Sequence, residues 1–180
     1  MQKNELHPNT TAMLQAWRRI TSAPGNIHKG PSADQYPELL GRLFVIESTR
    51  SGYFVFRIAG DDLTGLFSRN LVGTNLLDLW QNDDRALLLA FLEGVANGNN
   101  PGIIRAIGET RLGRHSEVEL ALAPLKKKPG HGRRLLGLYQ TLGGNAAVNA
   151  STIWTHYLRS IDLPYPELES PKLQLVASND

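Results

Sequence analysis

Between residues 115 and 125 the sequence alternates cleanly, with Val118, Leu120 and Leu122 on one face of a strand and Glu117 and Glu119 on the other. A period of two with one apolar face belongs to an antiparallel sheet that packs on a core from one side and meets water from the other. Such a sheet needs strands to pair with and helices to cover its apolar face, and both can be sought along the chain.

Residues 42–46 carry Leu43, Phe44, Val45 and Ile46 and end in turn chemistry at 47–52; residues 53–59 return rich in aromatic and β-branched side chains, which predicts a hairpin. Alternation puts Phe54, Phe56 and Ile58 on its core face and Tyr53, Val55, Arg57 and Ala59 on the other. Gly60-Asp61-Asp62 then opens a short helix over 63–67, with the acids as capping residues, and Asn75 caps a turn holding Leu76, Leu77, Leu79 and Trp80. The longest helix starts at Asn82 or Asp83, shows a stripe of Leu87, Leu88, Phe91, Leu92 and Val95, and stops at the breakers of 97–102. Strands follow at 103–112, 115–125 and 133–142. The fold class is α+β: a five-stranded antiparallel sheet covered on one face by short helices and one longer helix. Residues 1–35 form an N-terminal helix and linker, with Met13, Leu14, Trp17 and Ile20 at helical spacing. Residues 36–143 form the domain. Residues 144–180 form a partly disordered tail with one apolar cluster at Ile153, Trp154, Tyr157 and Leu158.

Hydrophobic residues at 41% suffice for a core without staples, and the absence of cysteine excludes disulfides, thiolate metal sites and a cysteine nucleophile. A net charge of +2 does not imply a polyanionic partner, so nucleic acid is not expected. The most apolar stretch, 86–96, is broken by Glu93 and Gly94 and falls far short of the roughly 20 residues that span a bilayer. With no secretory signal at the N-terminus, a soluble cytoplasmic protein is expected.

The strand–helix order, with the run Phe56-Arg57-Ile58-Ala59-Gly60-Asp61-Asp62-Leu63-Thr64-Gly65-Leu66-Phe67, then Leu71-Val72-Gly73-Thr74 and Leu77-Asp78-Leu79-Trp80, resembles the PAS superfamily. Within it the chain looks like the standalone PAS-like domain proteins of alphaproteobacteria. The resemblance covers about 36–143. It implies a sensory or regulatory module in bacterial signalling, not an enzyme, with a small ligand between sheet and helices and an output through a partner protein. The alternative is a protein-interaction adaptor with a filled core. Haem-binding relatives use a histidine on or near the long helix, but 82–97 contains none; flavin-adduct and cinnamate photoreceptors need a cysteine. Haem and cysteinyl-flavin chemistry are therefore not expected, and the cofactor stays open.

Four residues are candidates for ligand binding. Arg57 interrupts an apolar strand and can hold a carboxylate or phosphate, or instead pair on the outer face with Glu117 or Glu119. Trp80 can stack on a planar ligand, or simply join the leucines around it. Tyr139 and Gln140 point opposite ways, so only one enters the cavity; Gln140 shares its face with Leu136, Leu138 and Leu142 and needs a polar partner. Interaction surfaces are sought at Met13, Trp17 and Ile20, as a homodimer face, and at the basic loop Lys126-Lys127-Lys128, which can bind an anionic partner or serve as a solvated hairpin tip. The five histidines are scattered, no two at metal-ligand spacing, and no phosphate loop, G-x-S-x-G or H-E-x-x-H motif occurs.

Overall fold

The computed structural model describes residues 5–22, 37–49, 52–143 and 152–162. Its strands are β1 (Leu43–Ser48), β2 (Phe54–Ala59), β3 (Gly102–Thr110), β4 (His115–Pro124), β5 (Arg134–Leu142) and β6 (Ile153–Asp162), all paired antiparallel in the order β2-β1-β5-β4-β3-β6. The helices are α1 (Pro8–Ser22), α2 (Pro37–Leu40), α3 (Asp61–Phe67) and α4 (Asn82–Asn97), with a 3-10 turn at Leu76–Leu79. All but α1 and α2 lie in the crossover from β2 to β3, as the sequence predicts. Among the described residues no helix is long and apolar enough to cross a membrane.

The strand count is corrected from five to six. β6 grows from the apolar cluster read as part of the tail, and its pairing with β3 carries two bulges. Thr110 and Glu109 pair with Ile153 and Thr155, leaving Trp154 extra; Ala106 and Arg105 pair with Leu158 and Ser160, leaving Arg159 extra. Each bulge resets the alternation. The buried or half-buried residues of this strand that pack with the main core, Ile153, Leu158 and Ile161, therefore do not follow a period of two.

A third bulge corrects β2. Val45 pairs with Ile58 but Ile46 pairs with Phe56, so Arg57 is the extra residue. Phe54 and Phe56 enter the core as predicted, whereas Ile58 is turned out, 60% exposed, and Ala59 packs on the core in its place.

Both faces of the sheet are used. Val118, Leu120 and Leu122 face the helical layer with Phe44, Phe56, Leu88 and Leu92. On the other face Ile103, Ala121, Ala123 and Leu138 are buried beneath Met13, Leu14 and Trp17 of α1. Pro8 begins this helix, a position where its missing N–H costs nothing. Trp17 donates its indole N–H to the Pro124 carbonyl at 2.8 Å. Glu119 does point away from the helical layer, but the residues leading into α1 lie over it and its exposure is 0%. Its carboxylate accepts the His7 N–H at 3.0 Å and pairs with Arg105 at 2.7 Å, and Arg105 also donates to the Glu5 carbonyl at 3.0 Å.

Removing the Trp17 side chain deletes both this hydrogen bond and a buried apolar contact of α1 with the sheet. Trp17→Ala should lower unfolding free energy by about 3 kcal/mol in urea titrations; a loss under about 1 kcal/mol would show that α1 is not docked on the sheet.

Candidate functional site

Tyr139 and Gln140 are neighbours on β5 and their side chains leave opposite faces of the sheet, as parity demands. Tyr139 enters the space between sheet and helices, where it meets Phe67 from the end of α3 and His156 from β6, and Trp80 from the end of the 3-10 turn packs on the same imidazole. Ring centroids lie 5.0 Å apart for Trp80–His156, 5.4 Å for Phe67–Tyr139, 5.7 Å for Tyr139–His156 and 5.9 Å for Phe67–His156. Gly108, opposite His156 on β3, leaves the room: a Cβ there would meet the Ile153 side chain at 3.3 Å and the imidazole at 3.6 Å.

His156 is buried and both ring nitrogens are bonded. Nδ1 lies 2.8 Å from the Leu79 carbonyl, which can only accept, so Nδ1 carries the proton. Nε2 is then the acceptor for the Tyr139 hydroxyl at 2.8 Å. Burial lowers the His156 pKa from 6.5 to about 4, against the Leu79 hydrogen bond, which acts to raise it. Burial likewise pushes the Tyr139 hydroxyl well above its usual range, with Arg42 acting the other way. Both groups are neutral at physiological pH. The strand is held from the helical side as well: Gln81 donates its backbone N–H to the His156 carbonyl at 3.1 Å and its side-chain amide to Thr155 at 3.1 Å, and the Leu158 N–H reaches Asp84 Oδ2 at 2.8 Å. The buried indole N–H of Trp80 has no acceptor among the described residues.

The residues chosen from the sequence do not form one site. Trp80 and Tyr139 come together in the interior. Arg57 sits outside it, half exposed, with its Nε 3.2 Å from Glu47 Oε2; its partner is on the adjacent β1, not Glu117 or Glu119, because β2 pairs only with β1. Glu47 also accepts the Gly132 N–H at 3.0 Å and lies 3.7 Å from His131, fixing the base of the basic loop. Burial acts to raise the Glu47 pKa, but the Gly132 N–H, Arg57 and His131 outweigh it and hold the carboxyl below its usual range. Lys126, Lys127 and Lys128 are exposed on that loop. Met13 and Trp17 are buried against their own sheet, and Ile20 stays 67% exposed. Gln140 is buried on the outer face, beside Asn9, Arg42 and Thr141. His156 was missed because its strand was not read as one; Arg105, set among Ile103, Ile104 and Ile107, was a visible signal for the ion pair with Glu119. Among the described residues no three histidine or acid side chains converge as metal ligands.

The buried imidazole has a pH signature. Its folded pKa lies below the unfolded value, so the unfolded chain binds the extra proton between about pH 6.5 and 4, and the stability His156 contributes above that window is lost as pH falls through it. The loss should reach about 3 kcal/mol. Urea titrations at stepped pH should show a shallower pH dependence for His156→Gln than for the parent; equal slopes would mean that His156 titrates as an exposed group.

A family model described as PAS domain matches residues 6–140. No curated protein matches. Similar solved structures include the PAS domain of Bordetella pertussis BvgS, at 15% identity over 59% of this chain and 79% of that one with a TM-score of 0.44. A Rhodobacter sphaeroides LOV protein is similar at 14% identity over 79% of this chain and 73% of that one with a TM-score of 0.46. The PAS-B domain of Drosophila melanogaster Cycle with bound ethylene glycol is similar at 12% identity over 55% of this chain and 99% of that one with a TM-score of 0.44. Since the family match takes in more than half of the sequence, from the lead-in to α1 through most of β5, the chain belongs to the PAS domain family.

Proposed function

We propose that this PAS domain is a regulatory module whose helix–sheet interior is closed by its own side chains and whose state is read by a protein partner. One observation carries the reading: the imidazole of His156 occupies the interior, bonded at both nitrogens and packed against Trp80, Tyr139 and Phe67. Polar groups matched in this way specify one arrangement and leave little reason to admit a guest. Membership of the PAS family supports a sensory or regulatory role over a catalytic one. The placement in bacterial signalling comes from the resemblance of the sequence, and the cytoplasmic location from the N-terminal sequence, which carries no apolar run of a secretory signal. A homodimer belongs to the same reading; Met13 and Trp17 are taken up by the chain's own sheet, which leaves Ile20 and the exposed side chains of other elements for it.

A second reading, a small ligand between sheet and helices, has one observation in its favour. The indole N–H of Trp80 is buried without an acceptor among the described residues, and an unmatched buried donor costs about 1–3 kcal/mol.

Native mass spectrometry and an absorption spectrum of the purified full chain separate the two. The closed interior predicts the mass of the polypeptide, or a multiple of it, and no absorption beyond the aromatic band. A small molecule retained through desalting, and still retained after Arg42→Met, would overturn it and establish the second reading.

A further inference from the structure

On the far side of β5 from His156, the first residues of the described chain, the turn from α2 into β1 and the start of α3 enclose a pocket of about 430 Å³. Two glycines bring these elements together. The Gly60 N–H donates to the Leu43 carbonyl at 2.8 Å, and a Cβ at Gly60 would overlap the Gly41 carbonyl. A Cβ at Gly41 would sit 2.6 Å from the Asp62 carboxylate carbon, so the bare backbone at 41 is what lets that carboxylate come in beside Arg42.

Arg42 is fixed by its backbone, whose carbonyl accepts the Tyr139 N–H at 3.1 Å, and its side chain is only 22% exposed. Its guanidinium is under-used. Nη1 donates to Thr141 Oγ1 at 3.2 Å, while the nearest Asp62 oxygen is 3.7 Å from Nε, within reach of charge but too far for a hydrogen bond. Four of the five guanidinium N–H groups are thus uncommitted among the described residues. Beside it Gln140, 6% exposed, is held in place at both ends of its amide, accepting from Asn9 Nδ2 at 3.1 Å and donating to the Thr141 carbonyl at 2.9 Å. His7 completes this side: its Nδ1 accepts the Asn9 N–H at 3.2 Å, so the neutral ring carries its proton on Nε2 as a donor. Glu38 and Asp62 add carboxylates to the same lining, Asp62 next to Arg42.

We infer that this pocket binds a free α-amino acid, whose carboxylate is taken by the Arg42 guanidinium and whose ammonium is taken by Asp62 and Glu38. The close company of one cation and two anions selects the class. A simple carboxylate would satisfy Arg42 and meet two like charges in the same lining; a simple amine would satisfy the acids and meet Arg42. A molecule with both charges on adjacent carbons satisfies each side, and a guanidinium with free N–H groups grips a carboxylate in a two-pronged geometry. The volume fits a small metabolite and its side chain. The inference goes beyond the proposed function, since the pocket lies outside the closed interior, and it supplies that regulatory module with an exchangeable signal.

Isothermal titration of the full chain tests it, with the proteinogenic L-amino acids as titrants and propionate and propylamine as single-charge controls. At least one amino acid should bind with Kd below about 1 mM, with both controls silent at about 10 mM. Arg42→Met and Asp62→Asn should each weaken that binding by about tenfold or more. Asp62 is half exposed, so its variant should fold, which circular dichroism verifies. Silence of every amino acid, propionate binding as tightly as the best of them, or full affinity in Asp62→Asn would each overturn the assignment, and none of these results bears on whether the interior is closed.

Discussion

The hydrogen-bond chain from the Leu79 carbonyl through His156 to the Tyr139 hydroxyl ties together parts of the fold that are far apart in sequence. An imidazole withdrawn from water needs a donor and an acceptor waiting for it, and here the 3-10 turn supplies the acceptor and β5 the donor. Because the helical crossover provides one partner and the sheet the other, the ring fixes the distance between the two layers. β6 depends on it and on Gln81 and Asp84, which bond to the side of the strand facing away from β3. What would be an unpaired sheet edge is thereby covered by the chain's own helical segment.

The outer face has its own organising contact. Glu119 and Arg105 are cross-strand partners on β4 and β3, and both lose water when the lead-in to α1 covers them. A buried ion pair of this kind contributes little net stability against an apolar substitute, but removing one partner strands the other charge. Its extra bonds go to the backbone of Glu5 and His7, so it determines where the chain enters α1 and hence where Met13, Leu14 and Trp17 land on Ala121, Ala123 and Leu138.

Much of this was legible in the sequence, and the exceptions have common causes. Val118, Leu120 and Leu122 announced the core face because β4 runs without a bulge and its neighbours keep its register. Ile58 was misplaced because Arg57 adds a residue to β2, and a period of two carries no mark of where it resets. β6 failed twice over on the same ground, with Trp154 and Arg159 both extra. The chemistry of the interior went with it, since His156 is informative only once its strand is placed. Trp80 is buried in one cluster with Leu76, Leu77 and Leu79. Glu119 was assigned to the outer face correctly and to water wrongly; alternation along a strand reports which face a residue takes but not what lies over it. Arg42 and Asp62 were invisible because their meeting depends on two glycines touching across separate turns.

The interior and the rim pocket share β5, and they are joined by very little chain. Tyr139 donates its backbone N–H to the carbonyl of Arg42 and its hydroxyl to His156, while the next residue, Gln140, faces the pocket. A displacement of Arg42 would therefore act on the backbone of the residue whose side chain anchors the imidazole, one hydrogen bond away. A close-packed interior does not absorb such a shift smoothly, because its side chains have few arrangements to move between. The packing of Trp80 and Phe67 over His156 and Tyr139 is thus where a change at the rim would be felt. The crossover to which Trp80 and Phe67 belong is the route by which it would reach the surface of the helical layer.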